Sequence, residues 1–154
     1  MMHEAADLET TLDRAAEHCA ARGAQLTPLR RKVMRLVLEA GQPVGAYALL
    51  DRLRDDRGPA APPTVYRALD FLVEQGLVHK LERLNAFTPC IEAGHDHGEH
   101  GHPHQFLICK TCGITTELTD HGVAHALEAA AKRAGFTPER MTVEVEGTCA
   151  NCAA

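Results

Sequence analysis

TVYRALDFLVEQGLVHK, residues 64–80, decides the fold of this 154-residue chain. Its apolar residues recur with helical spacing, so the stretch predicts a helix that buries one face. Tyr66 and Arg67 then lie on the outer face, near the start of the helix. Gly76 ends the helix, and a histidine, His79, follows three residues later.

Three more helices are predicted before this stretch. Apolar residues at helical spacing indicate one from Leu8 up to Gly23 and another from Ala46 to Arg54. Between them, the Thr27-Pro28 pair supplies an N-cap and a proline for the first turn of a helix that ends at Gly41.

A β-hairpin is predicted after Gly76, because the pattern changes to two short extended runs over residues 77–82 and 86–90. Helices followed directly by a hairpin are typical of a winged helix-turn-helix, whose second helix enters the major groove of DNA. We therefore predict a winged-helix DNA-binding domain over residues 1–90.

A second module is predicted beyond a linker. Residues 91–104 are rich in His and Gly and carry no core-forming pattern, so we interpret them as this linker. Residues 105–154 predict two strands, a helix with Val123, Leu127 and Ala131 facing inward, and a last strand. Such a thin core usually needs a metal or a partner subunit.

Charge and composition limit the function. The chain has a net charge of −5, but residues 1–85 are balanced and the segment from Arg22 to Arg35 has five basic residues and no acidic one. The front module could therefore hold a local basic face. The chain has no apolar run near the roughly 18 residues of a membrane span, and its N-terminus lacks the features of a signal peptide. We predict a cytoplasmic protein with reduced cysteines.

Paired cysteines are the strongest single signal. Two Cys-x-x-Cys units, formed by Cys109 with Cys112 and by Cys149 with Cys152, can supply a closed tetrahedral zinc site. A closed site has no open position for catalysis, so its expected role is structural. A redox-active pair is the alternative, but such a pair would precede a helix, and a strand is predicted after Cys112.

Further metal ligands remain once these cysteines are assigned. They are His79, Cys90, His102, His104 and Glu117. Together they could form a second tetrahedral site between the two modules. From residue types alone, His79 could equally be an exposed hairpin residue, Cys90 a buried apolar one and Glu117 a solvated charge.

The chain resembles the ferric uptake regulator family, and within it the zinc uptake regulators. The resemblance is carried by PPTVYRALDFLVEQGLVHK, LTPLRRKVM, FLICKTCG and the terminal GTCANC, and it extends over residues 15–152. It implies an α+β protein, with an N-terminal winged helix-turn-helix DNA-binding domain and a C-terminal α/β dimerisation domain that contains the four-cysteine zinc site. It also implies a homodimeric, metal-activated transcriptional repressor, which is not an enzyme.

The resemblance assigns the metal ligands residue by residue. It implies one structural zinc at Cys109, Cys112, Cys149 and Cys152, and one regulatory zinc at His79, Cys90 and Glu117. A linker histidine completes the second site; His102 is preferred and His104 stays eligible. The positions before the first cysteine pair that hold histidines in iron sensors are Gln105 and Phe106 here, and a thiolate at Cys90 also favours zinc.

DNA contacts are likewise expected from the resemblance. Tyr66 and Arg67 match base-contacting residues, with Thr64 at the helix start as a further candidate. Arg22, Arg30, Arg31 and Lys32 are candidate phosphate contacts, with a solvated basic helix face as the alternative. Asp51 and Arg54 match residues that join neighbouring dimers on one operator, and an ion pair within one chain is the alternative.

Three other functions remain to be distinguished. An iron, manganese or peroxide sensor of the same family would bind DNA with a different metal. A zinc buffer or metallochaperone would explain the cysteines and histidines but not the Tyr66-Arg67 helix. A thiol redox enzyme would need a metal-free cysteine pair.

Overall fold

The computed structural model describes residues 2–90, 104–139 and 141–153. The chain divides into two compact units, Met1–His95 and Asp96–Ala154. Most of the predicted linker, including His102, lies outside the described residues, whereas His104 begins a strand. No helix in the described ranges is both long enough and apolar enough to cross a membrane.

Four helices and a hairpin build the first unit. Their bounds are α1 (Met2–Ala21), α2 (Pro28–Ala40), α3 (Ala46–Arg57), α4 (Pro62–Glu74), β1 (Val78–Leu81) and β2 (Ala86–Pro89). The helix α4 begins two residues before the predicted start at Thr64, because both prolines fit the first helical turn. The predicted winged helix-turn-helix architecture is present in this unit.

Local signals fix the helix α2 at both ends. Thr27 is its N-cap, and the hydroxyl of Thr27 accepts a hydrogen bond from the Arg30 N–H at 3.3 Å. Gly41 ends the helix with a φ of 68°, which glycine adopts without a steric penalty. The apolar faces of the four helices meet in one core. The outer face of α4 is thereby left in solvent.

The hairpin lies against the helices through its second strand. β1 and β2 pair antiparallel, and Asn85 takes the left-handed conformation in the turn between them with a φ of 46°. Phe87 forms an isolated bridge with Val44, in the loop before α3. The hairpin is thus bonded to the helical core as the wing of the unit.

A three-stranded sheet forms the centre of the second unit. Its elements are β3 (His104–Cys109), β4 (Thr115–Leu118), α5 (His121–Arg133), β5 (Thr142–Gly147) and the single turn α6 (Ala150–Ala153). β3 lies in the middle, antiparallel to β4 and parallel to β5. Asp120 caps α5 by accepting a hydrogen bond from the Val123 N–H at 3.2 Å.

The expected inward side of α5 was wrong. Val123 and Leu127 are each 37% exposed, and Ala124 is the buried residue of this helix. The apolar stripe of α5 is therefore wider than the surface that covers it. Among the described residues, this unit buries few apolar side chains, namely Phe106, Ile108, Cys109 and Ala124.

Candidate functional site

The four paired cysteines converge at one end of the three-stranded sheet. Cys109 ends β3, and Cys112 lies in the tight turn that leads to β4. Cys149 follows β5, and Cys152 lies in the turn α6. Because β3 and β5 run parallel, their ends meet at the same edge, which brings the two pairs together. All four sulfur atoms lie within 4.8 Å of one another.

The sulfur spacing fits a zinc ion. The Sγ atoms of Cys112 and Cys149 are 3.8 Å apart. A tetrahedron with zinc–sulfur bonds of about 2.3 Å has an edge of about 3.8 Å, whereas a disulfide requires about 2 Å. None of the six cysteines, all of which are described by the structure, forms a disulfide. The four paired cysteines could therefore hold one zinc ion.

Electrostatics within this cluster favour binding of a cation. The backbone N–H groups of Cys112 and Cys149 point at the sulfur of Cys109 and lower the pKa of that thiol to about 5. The neighbouring sulfurs of Cys149 and Cys112 raise the pKa of Cys152 to about 12. One thiolate thus forms easily, but the crowded set cannot ionise completely unless a positive charge compensates it.

Two potential ligands lie together at the base of the wing. His79 is in β1 and Cys90 directly follows β2, and both are only 6% exposed. The Cys90 N–H donates to the carbonyl of Leu77 at 3.0 Å, which fixes the backbone of Cys90 beside β1. A ring nitrogen of His79 and the sulfur of Cys90 lie within 4.8 Å. This spacing would let the pair share one metal ion.

Another pair of potential ligands lies on the sheet of the second unit. Glu117 on β4 is opposite Phe106 on β3, so His104 is a diagonal neighbour on the same face. The Nδ1 of His104 and the Oε1 of Glu117 are 3.8 Å apart. The side chain of Glu117 is 8% exposed. A carboxylate so well covered requires a compensating charge or a hydrogen-bond donor.

The outer face of α4 could enter a DNA groove. Tyr66 is 38% exposed and Arg67 is also exposed, in the second turn of the helix. Thr64 is half-buried, and its N–H donates to the Ala61 carbonyl at 3.0 Å. Val65 and Leu69 on the opposite face are buried and hold the helix to the core. Tyr66 and Arg67 thus project from a rigid element.

Two of the predicted phosphate contacts form ion pairs with acidic residues. Arg31 donates to Glu9 at 2.8 Å and to Asp13 at 2.9 Å, both on α1. Lys32 pairs with Asp56 at 2.6 Å. Hydrogen bonds from Arg35 and then Arg31 lower the pKa of Glu9, and the hydrogen bond from Lys32 lowers the pKa of Asp56. The basic run is consequently balanced by acids from α1 and α3, which its own composition did not reveal.

The other two predicted phosphate contacts reach the last turns of α4. Arg22 Nε donates to the side-chain oxygen of Gln75 at 3.0 Å. The guanidinium of Arg30 lies 3.7 Å from the centre of the Phe71 ring, and its Nη1 donates to the Gln25 carbonyl. Both arginines therefore have intramolecular partners around the end of the candidate recognition helix.

One exposed aromatic residue on α3 was not predicted from the sequence. Tyr47 is 66% exposed, in the first turn of the helix that precedes α4. Tyr47 interrupts the polar face of α3 beside the buried Ala46 and Leu49. An aromatic residue at such a position could have indicated the exposed side chain from the sequence. On the same helix, Arg54 donates to the Ala60 carbonyl at 2.9 Å and, among the described residues, forms no ion pair with Asp51.

Comparison with known proteins finds relatives from one family. A profile described as "Ferric uptake regulator family" matches residues 21–146. The zinc uptake regulation protein of Escherichia coli (strain K12) is 40% identical over 92% of this chain and 80% of its own length.

Solved structures give the same result. A zinc uptake regulator complexed with zinc and DNA superimposes with a TM-score of 0.86, at 38% identity over 95% of each chain. Holo XcZur superimposes with a TM-score of 0.82, at 47% identity over 94% of this chain and 97% of that one. The apo form of XcZur gives a TM-score of 0.53.

The family match extends over most of the chain and includes the winged helix-turn-helix, the sheet and the first cysteine pair. The resemblance inferred from the sequence motifs and the predicted fold class are both confirmed. The family is one of regulators, in agreement with the expectation that the chain is not an enzyme. The chain belongs to the ferric uptake regulator family.

Proposed function

We propose that this chain is a zinc-responsive transcriptional repressor that binds operator DNA as a zinc-loaded homodimer and shuts off zinc-uptake genes. The observation that carries the proposal lies within the first unit. The exposed Tyr66-Arg67 face of α4 is followed, after one short turn, by the donor pair of His79 and Cys90. Names of the relatives support the choice of zinc, since they refer to zinc uptake.

A structural zinc is proposed at Cys109, Cys112, Cys149 and Cys152. The sulfur spacing and the incomplete ionisation of these thiols support this site. The ion would join the end of β3 to the segment after β5, and so stabilise a unit with few buried apolar side chains.

A regulatory zinc is proposed at His79, Cys90 and Glu117, with either His104 at the start of β3 or His102 as the fourth ligand. His104 is supported by its contact of 3.8 Å with Glu117, and His102 is the alternative. One thiolate with imidazole and carboxylate ligands suits zinc better than manganese or magnesium. Separate His102→Ala and His104→Ala variants distinguish the two candidates, because only the true ligand lowers zinc affinity strongly.

The proposed mechanism is a shift between DNA-binding and non-binding conformations. A dimer reads two half-sites, so its two recognition helices must have the correct separation. Moving a population from about 1% to about 99% competent requires roughly 5.5 kcal/mol of differential binding, which zinc–thiolate sites can supply. The two forms of XcZur give this chain very different TM-scores, so that relative changes conformation between its apo and holo forms.

On the DNA, Arg67 would contact a guanine through O6 and N7, while Tyr66 and Thr64 would contact a thymine methyl group or a phosphate. Arg31 and Lys32 remain proposed phosphate contacts, because their partly exposed ion pairs contribute little to stability and can be exchanged for contacts with phosphates.

A homodimer is supported by apolar side chains on the sheet of the second unit. Leu107 and Val145 are exposed there, and a second copy of the chain would bury them.

We also propose that two dimers can contact each other on one operator through Asp51 and Arg54. Asp51 is exposed, and Arg54 keeps further donors beyond the one that Ala60 accepts. A charge reversal at Asp51 tests this contact. Asp51→Arg should remove cooperativity between dimers, and the double variant with Arg54→Asp should restore it.

Because it acts on DNA, the repressor is expected in the cytoplasm.

Buffered zinc titration is the decisive test of the proposed function. The full chain selects its preferred duplex from random DNA in vitro, and binding to that duplex is then measured against free zinc. We expect two zinc ions per chain at saturation and loss of DNA binding when a chelator removes the weaker one. DNA binding that does not depend on zinc but increases with ferrous iron or manganese would show that the regulatory metal is a different one. Absence of specific DNA binding would favour the alternative function of a zinc buffer.

A further inference from the structure

Gln75 forms an unusual junction at the end of the recognition helix. It is the C-cap of α4 and is 9% exposed, although its side chain is polar. Its carbonyl accepts a hydrogen bond from Nε2 of His18 at 2.9 Å, and its Oε1 accepts one from Nε of Arg22 at 3.0 Å. His18 lies in the last turn of α1 and Arg22 directly follows this helix, so both donors come from more than fifty residues earlier in the chain.

These contacts satisfy groups that a helix end otherwise leaves open. The last carbonyls of a helix have no partner within the helix, and cations near them are favoured by the helix dipole. His18 supplies a donor to one such carbonyl, and Arg22 brings a positive charge to the same end. One turn earlier, the Arg30 guanidinium covers the Phe71 ring at 3.7 Å. The final turn of α4 is therefore held from two sides.

The same junction leads directly into the wing. Gly76 donates to Val73, and Leu77 donates to Leu72 at 2.9 Å, so the chain turns tightly after Gln75. The Leu77 carbonyl then accepts the Cys90 N–H. Every residue between the helix end and the wing is thus fixed by backbone hydrogen bonds. A contact that holds Gln75 consequently holds the place where the helix and the wing meet.

We propose that Arg22 is a positioning residue, which acts through Gln75 to set the orientation of α4 for DNA reading. The proposal rests on the proposed function in DNA binding, and it replaces the role of Arg22 as a phosphate contact. Arg67 lies eight residues before Gln75, about 12 Å along the helix axis. A small tilt at Gln75 therefore displaces the Arg67 side chain enough to disturb a bidentate contact with a base.

A double-mutant cycle separates positioning from phosphate contact. The variants are Arg22→Ala, Gln75→Ala and the double variant, with Arg14→Ala as the matched control, because Arg14 is an exposed arginine of α1. Each zinc-loaded full chain is measured on the duplex selected by the wild type and on a scrambled duplex, over a series of salt concentrations. Thermal unfolding is recorded for each variant so that only folded chains are compared.

A positioning role for Arg22 predicts how each variant changes the preference for the selected duplex. Arg22→Ala and Gln75→Ala should each lower the preference for the selected duplex by roughly tenfold, and the double variant should be no worse than either single one. The salt dependence should stay unchanged, and Arg14→Ala should keep the preference. A phosphate contact instead predicts that Arg22→Ala weakens both duplexes equally and lowers the salt slope by about 0.9, while Gln75→Ala has no effect. That result would overturn the proposal.

A conservative variant protects the test against loss of folding. Arg22→Lys keeps the positive charge, but its N–H donors lie one bond further along the side chain than the Nε–H that Gln75 accepts, so the contact is displaced. Positioning predicts that Arg22→Lys loses preference as Arg22→Ala does, whereas a phosphate contact predicts binding close to that of the wild type. The proposed function fails separately if the wild type prefers no duplex. In that event the same cycle is measured by urea unfolding, where additive effects of the two substitutions would refute the contact itself.

Discussion

Substitution of Cys112 by serine should unfold the second unit and leave the first unit intact. The reason lies in the distribution of buried apolar side chains. Among the described residues, the second unit buries only Phe106 and Ile108 as large apolar side chains, whereas the helices of the first unit share a continuous core. Full burial of one such side chain stabilises by about 1.5–3 kcal/mol. The second unit therefore depends on another source of stability.

Zinc can supply that stability. Binding to a four-ligand structural site contributes about 10–16 kcal/mol near neutral pH, and a whole domain is stable by only about 5–15 kcal/mol. A serine hydroxyl does not replace a thiolate as a zinc ligand, so Cys112→Ser removes a contribution that equals or exceeds the margin of the unit. We expect the backbone amides of β3 and β5 to lose their protection from hydrogen exchange, while those of α2 and α4 stay protected.

Hydrogen exchange measured by mass spectrometry on peptides of the full chain tests this expectation. Cys19→Ala is the matched control, because Cys19 is fully buried in the core of the first unit and lies far from the paired cysteines in sequence. It should weaken protection in α1 and leave the zinc count and the β3–β5 sheet unchanged. If Cys112→Ser chains keep a protected sheet, the structural role of this zinc is refuted.

Four further substitutions test other parts of the structure. His79→Ala or Cys90→Ser should abolish zinc-stimulated DNA binding while circular dichroism shows a folded chain; stimulation that persists would exclude these ligands. Arg67→Ala should cost about 1–3 kcal/mol of discrimination between selected and scrambled duplexes, and equal weakening on both would make Arg67 a phosphate contact. Thr27→Ala removes the N-cap of α2 and should lower the free energy of unfolding by about 1 kcal/mol in urea titrations; an unchanged value would show that the cap contributes nothing net.

Local sequence signals were sufficient for most of the helices and for the hairpin. Thr27 and Gly41 mark the two ends of α2, and the structure places the helix between them. The start of α4 was predicted at Thr64, two residues late, since Pro62 and Pro63 form the first turn of the helix. Proline breaks a helix when it lies in the interior, where it removes a backbone hydrogen bond. In the first turn the N–H groups have no partner within the helix, so the missing N–H of proline costs nothing.

Partners distant in sequence could not be predicted. The basic run from Arg22 to Arg35 looked like an exposed positive face, because no acidic residue lies within it. In the structure, Arg35 and Arg31 pair with Glu9, which belongs to a different helix. Sequence spacing predicts which residues share a helix face, but the orientation of one helix on another depends on side-chain packing. The electrostatic character of the first unit is therefore a tertiary property.

The link between α4 and the wing limits how zinc can act on DNA binding. Leu77 is bonded to Leu72 at the end of the helix and to Cys90 beside the wing, so the first unit cannot bend there without breaking both hydrogen bonds. Because His79 and Cys90 lie just beyond this link, a zinc ion bound to them would act on the same rigid segment that carries Tyr66 and Arg67. The first unit would then move as one body. Metal occupancy would change where the recognition helix is presented, and the shape of the helix itself would stay the same.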